Sequence, residues 1–185
     1  MKPKIATAGV LACAICASVS MARAQNRGDC QGRSAETWSI QVAAPDEPGR
    51  RLVVQGRVLR DGEPVSGATI LVFQTDAEGY YSPSGMDESN ARLCGLMLTD
   101  SDGRYRFDTI MPAHYASGAS PPAHVHYRVS GSGLKAQSFT LNFEGDPRLA
   151  VGQRDASGNS TWATVRPVEE LEGAVLQVTR DLRMR

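Results

Sequence analysis

Two histidines stand at alternate positions in Pro121-Pro122-Ala123-His124-Val125-His126-Tyr127-Arg128-Val129. On a strand, residues two apart share a face, so His124 and His126 can present two imidazoles to one metal ion. The intervening Val125, Tyr127 and Val129 suit burial on the other face. The chain holds three histidines, and this segment uses two of them. Two tyrosines upstream, Tyr81 and Tyr115, would complete a set of two phenols and two imidazoles. Phenolate and imidazole together suit ferric iron, a hard trivalent ion. A phenol ionises near pH 10 in water, but a bound cation dominates the local field and favours the phenolate. Two phenolates and a hydroxide would balance the metal charge, and iron held this way is a Lewis acid toward a chelating diol.

The elements that must position these residues read as strands. Leu52 to Leu59, Ala68 to Gln74, Arg104 to Ile110, His124 to Ser130, Gln137 to Phe143 and Gly173 to Leu182 are β-branched, aromatic or alternating. Trp38 to Val42 is a candidate edge strand. Asp61-Gly62-Glu63-Pro64 and Asp100-Ser101-Asp102-Gly103 are turns. Tyr80 to Gly95 reads as a long ordered loop, and Val168 to Leu171 as one helical turn. Seven or eight short strands with little helix predict an all-β, antiparallel β-sandwich whose long loops form the metal site.

Residues 1–24 are expected to be removed. Lys2 and Lys4 precede an apolar run from Ile5 to Val19, and Ala22-Arg23-Ala24 is a small-x-small cleavage site. This predicts export, periplasmic or secreted, with a lipoprotein at Cys13 as the alternative. Residues 25–50 read as an N-terminal arm and 51–185 as one domain. Cys13 and Cys16 would leave with the signal. Cys30 and Cys94 then remain, either as a disulfide or as two unrelated thiols. Lys+Arg and Asp+Glu number 20 each. This balance, with the signs interspersed, argues against nucleic acid or an anionic membrane as partner.

Several ordered blocks resemble the intradiol catechol dioxygenases, especially the protocatechuate-type core. They are Gly62 to Ala68, Phe73-Gln74-Thr75-Asp76-Ala77-Glu78-Gly79-Tyr80-Tyr81, Thr99 to Pro112, Tyr115, Pro122-Ala123-His124-Val125-His126 and Phe143-Glu144-Gly145-Asp146-Pro147. The resemblance implies one non-haem Fe(III) per chain, held by Tyr81, Tyr115, His124 and His126. It implies an aromatic diol and dioxygen as substrates, with cleavage between the two hydroxyls to a muconate-type diacid. Tyr115 would be the exchangeable ligand, Tyr115 and His126 axial, and Tyr81 and His124 equatorial. Tyr80 falls one place early. The family's Arg before Pro-Ala-His is Pro121 here, and its Gln in the following strand is Thr140. Arg128, on the histidine face, and Arg92, in the long loop, are candidate substitutes.

Other residues read as structural. Tyr105 and Tyr127 are packed aromatics, and His114 is a loop residue beside Tyr115. Asp100, Asp102 and Asp146 are turn formers. The alternative function is a non-catalytic exported β-sandwich module that binds iron, a catechol-like ligand or a partner protein.

Overall fold

The computed structural model describes residues 30, 35–118, 120–149 and 164–185. The expected signal segment, residues 1–24, lies outside the described residues. Among the described residues, twelve strands follow in chain order: β1 (Ser39–Gln41), β2 (Arg51–Arg60), β3 (Glu63–Pro64), β4 (Thr69–Gln74), β5 (Leu93–Leu98) and β6 (Arg104–Ile110), then β7 (His124–Gly131), β8 (Leu134–Phe143), β9 (Thr164–Arg166), β10 (Glu169–Leu171), β11 (Val175–Thr179) and β12 (Leu182–Met184).

They form two sheets. One runs β1-β6-β2-β11-β10, with β3 and β12 pairing the far end of β2; the other runs β5-β4-β7-β8-β9. Alternation explains the sandwich. Val54, Val58, Tyr105, Phe107, Leu176 and Val178 of the first sheet, and Ile70, Val72, Val125, Tyr127, Val129 and Leu141 of the second, bury into one core. A one-residue slip of β7 would exchange its buried Val125-Tyr127-Val129 set for His124, His126 and Arg128, so the core fixes which face carries the histidines. Tyr105 and Tyr127 are packed core aromatics, each 1% exposed.

The sandwich is as expected, but three local readings are corrected. The pairing is not wholly antiparallel: β1 with β6, β11 and β12 with β2, and β8 with β9 run parallel. Leu93 to Leu98, partly assigned to a loop, is β5, because Cys94 and Leu96 pair with Phe73 and Leu71 of β4. The expected helical turn at Val168 to Leu171 contains β10, which is held by its ladder to β11. A tight 3₁₀ turn comes later, at Glu172–Ala174.

The second sheet's outer face carries the site. Phe73, Cys94, Tyr81, Ala91 and Cys30 form a separate apolar cluster there, with Leu71, Met86 and Tyr115 packed against it. Cys30 and Cys94 are joined as a disulfide with Cα atoms 6.0 Å apart, which excludes the two-thiol alternative. The link closes 64 residues of chain, worth about 4 kcal/mol in the chain-entropy model.

Candidate metal centre

Pro121 and Pro122 have no N–H to give a ladder, so β7 starts just after them. Asn142 Nδ2–H donates to the Ala123 carbonyl at 3.3 Å and steadies that entry. His124 and His126 then project side by side from the outer face. The His126 ring stacks on Phe73 of β4, with centroids 4.6 Å apart and planes 12° apart. The strand register places Phe73 opposite His126, and Thr140 opposite it on β8.

The tyrosines arrive on two loops held against each other. Asp76 organises the first. Its carboxylate accepts the N–H groups of Glu78 and Tyr80, both at 3.0 Å, and its carbonyl accepts those of Gly79 at 3.2 Å and Ala113 at 3.1 Å. The Ala116 N–H donates to the Gly79 carbonyl at 3.2 Å. Gly79 has φ +88°, and a Cβ there would overlap the His114 carbonyl. Glycine therefore allows the close approach of the Tyr81 and Tyr115 segments.

The four side chains meet in a closed ring of donor atoms. Tyr81 Oη lies 2.8 Å from Tyr115 Oη and 2.9 Å from His126 Nε2. His124 Nε2 lies 3.0 Å from Tyr115 Oη and 2.9 Å from His126 Nε2. A square with sides of this length has its centre about 2 Å from each corner, a length typical of metal–nitrogen and metal–oxygen bonds. His124 Nδ1–H donates to the Pro122 carbonyl at 2.7 Å, which leaves its Nε2 lone pair facing inward. Burial disfavours charge on both rings. It lowers the His124 pKa, and burial followed by the neighbouring His124 brings His126 down to about 4. Neutral imidazoles are the ligand form.

The phenols are held protonated by the same desolvation. Burial, then the hydroxyl and charge of Tyr115, push Tyr81 far above the ordinary phenol range. Burial also raises Tyr115. Two desolvated phenols and two neutral imidazoles fit a cation at their centre, whose charge would offset the cost of ionising the phenols. The donor set fits ferric iron.

Tyr81 is 2% exposed, whereas its neighbour Tyr80 is 40% exposed and outside the ring. Tyr115 is only partly buried. Arg92 does not join the donors. Its guanidinium holds Glu47 at 2.6 and 2.7 Å and Asp76 at 3.4 Å, and its N–H donates to the Tyr81 carbonyl at 2.7 Å. It braces the tyrosine loop. Arg128 is exposed and lies farther along the histidine face. Pro121 is exposed, and Thr140 is half-buried opposite His126.

Three features were not legible as site residues. Glu88 sits in a 3₁₀ turn over the ring, and its Oε1 accepts from Tyr115 Oη at 3.4 Å and lies 3.9 Å from His126 Nε2. Phe73 is the platform under His126. His114 Nε2 lies 2.9 Å from a carboxylate oxygen of Asp146. Nothing local separates Glu88 from other loop acids, whereas the spacing of Asp146 within Phe143 to Pro147 was a usable signal.

The family model described as "Dioxygenase" matches residues 29–185. Over 146 residues the chain is 37% identical to hydroxyquinol 1,2-dioxygenase of Rhizobium sp., covering 70% of this chain and 50% of that protein. It is 39% identical over 114 residues to the protocatechuate 3,4-dioxygenase beta chain of Burkholderia cepacia, covering 55% and 48%. With catechol 1,2-dioxygenase 1 of Acinetobacter lwoffii it shares 36% over 124 residues, covering 57% and 40%. The chain thus spans about half the length, or less, of these curated relatives. The dioxygenase domain of a dioxygenase–carbohydrate-binding fusion from Streptomyces sp. SirexAA-E has the same fold, with TM-score 0.64, 22% identity, and coverage of 83% of this chain and 94% of that one. Catechol 1,2-dioxygenase from Acinetobacter sp. ADP1 gives TM-score 0.63 at 22% identity, covering 81% and 59%. The family match over nearly the whole described chain establishes what the spaced motifs and the ring of donors indicate: the chain belongs to the intradiol ring-cleavage dioxygenase family.

Proposed function

We propose that the chain is a non-haem iron(III) dioxygenase that cleaves catechol-type aromatic diols between their hydroxyls, giving muconate-type diacids. The closed ring of Tyr81, Tyr115, His124 and His126 carries this reading. Tyr81, Tyr115, His124 and His126 would hold ferric iron, which would supply a Lewis acid toward a deprotonated diol. The protein's own residues divide the remaining work. Tyr81 is buried and braced through Arg92, which suits a permanent ligand. His124 is oriented by the Pro122 carbonyl and His126 by the Phe73 ring. Tyr115 is partly exposed on the loop between β6 and β7, which suits a phenol that yields its place to the diol. Glu88 accepts from the Tyr115 hydroxyl, so a displaced phenol has a partner waiting.

The same proposal includes export after cleavage near Ala24. The Cys30–Cys94 disulfide supports an oxidising destination.

Metal analysis with a visible spectrum tests the function. Iron-loaded protein should be red to burgundy, with about one iron per chain. Catechol should shift the band, and ring-opened diacid should form in air. A colourless protein that takes up no iron would favour a non-catalytic module.

A further inference from the structure

A cavity of about 340 Å³ lies on the outer face of the second sheet, beside the donor ring. This is the size of a small-molecule pocket. Leu71 and Phe73 of β4, Arg128 of β7, the Cys30–Cys94 disulfide and Glu88 line it. One end is tied to the donors, because Glu88 lies 3.4 Å from Tyr115 Oη and Phe73 stacks on His126. Arg128 marks the other end. The register sets Leu71 against Arg128 and Phe73 against His126, so Arg128 stands one strand repeat beyond the metal ligand, roughly 6.6 Å along β7. Arg128 has no carboxylate partner among the described residues.

We propose that this cavity is a specificity pocket that selects diols whose ring carries an extended anionic side chain, with Arg128 as the group that binds the acid. The inference rests on the proposed function and adds a substrate class to it. The charges fix the orientation. An acid at the Glu88 end would meet a like charge. At the Arg128 end it meets a guanidinium whose fork suits a carboxylate. The apolar middle, over Leu71 and Phe73 and against the disulfide, suits a flat ring and a short linker. Arg128 therefore sorts substrates from outside the donor ring.

The test compares 3,4-dihydroxycinnamate with its methyl ester, which keeps the shape and removes the charge. Anaerobic titrations would follow the visible band of the ferric protein, with catechol as control. The acid should bind about tenfold tighter than the ester in the natural sequence, the effect of one hydrogen bond to a charged group. The ratio should fall toward one in Arg128→Gln and recover in part in Arg128→Lys. Equal affinity for acid and ester in the natural protein would overturn the proposal without any variant, and so would a preference that survives Arg128→Gln. A band that catechol itself leaves unmoved would instead strike down the proposed function, and this inference with it.

Discussion

His114 Nε2–H donates to the carboxylate of Asp146, at 2.9 Å from one oxygen and 3.1 Å from the other. Asp146 is more than the turn former its neighbours Gly145 and Pro147 suggest. It also accepts the N–H of Ala123 at 2.8 Å and that of Arg148 at 2.8 Å. His114 precedes Tyr115, and Ala123 precedes His124. One carboxylate therefore ties the loop of one tyrosine ligand to the entry of the histidine strand. Asp146→Ala should cost about 1.5–3 kcal/mol, the range for hydrogen bonds to a charged group, and should lower iron content at a given free iron concentration. Urea unfolding and metal analysis check both.

The same carboxylate predicts a pH dependence. Burial opposes its ionisation, but the N–H groups of Arg148 and Ala123, and then His114, outweigh this and hold its carboxyl below the usual range. A depressed folded pKa means a contribution fully present above the ordinary aspartate value of about 3.9 and lost as pH falls through the lower folded value. The stability gap between the natural protein and Asp146→Asn should therefore shrink as pH falls from about 5 to about 3. Urea midpoints measured across that range would detect it; a gap that widens in acid would contradict the sign.

Tyr80 and Tyr81 give a sharp contrast. Adjacent residues on an extended segment point opposite ways, and only Tyr81 reaches the ring. Tyr81→Phe should bleach the visible band and reduce bound iron, while Tyr80→Phe should keep both. Loss of colour in the Tyr80 variant alone would place the ligand one residue earlier.

The disulfide both anchors the arm and walls the cavity. Cys30→Ser with Cys94→Ser should remove about 4 kcal/mol of stability if the chain-entropy account holds, within a usual range of 2–5. Thiol titration of the natural, oxidised protein should find no free Cys30 or Cys94 thiol after denaturation. Two free thiols in the mature chain would contradict the bond.

Legibility followed the reach of each signal. The histidine pair, the buried face of β7 and the Tyr105/Phe107 alternation are period-two patterns, which a single chain displays directly. The four donors followed from spaced motifs rather than from any one element. What stayed hidden depends on tertiary pairing. The start of β5 reads as loop because Gly95 and its polar approach mask a strand whose partner, β4, lies on the far side of the Tyr80 loop. β10 reads as a helical turn because its three residues gain strand geometry only from β11. The roles of Arg92 and Glu88 depend on which loop crosses which. Arg92 is drawn away from the metal donors by Glu47, 45 residues upstream, a pairing no local pattern encodes.

Turnover of simple catechols should be slow. Chelation needs the iron and an exchangeable ligand, and Tyr115 supplies the second. Turnover also needs charge stabilisation of the activated diol, where a preorganised donor contributes a factor of about 10² to 10³. Pro121 offers no donor at the position of the family's Arg. Arg92 is bound to Glu47 and Asp76, and Arg128 stands a strand repeat away from the ring. The Thr140 hydroxyl, opposite His126, is shorter than the amide of Gln. Catechol should therefore shift the visible band at once, while diacid forms slowly, as stopped-flow spectra followed by product chromatography would record. Pro121→Arg should raise the rate of ring opening by at least tenfold without a comparable change in the affinity for catechol. Fast opening of unsubstituted catechol by the natural sequence would point instead to Arg148. Its Nη1–H donates to the Ser120 carbonyl at 3.4 Å, next to Pro121. In that case Arg148→Gln, rather than Pro121→Arg, would change the rate.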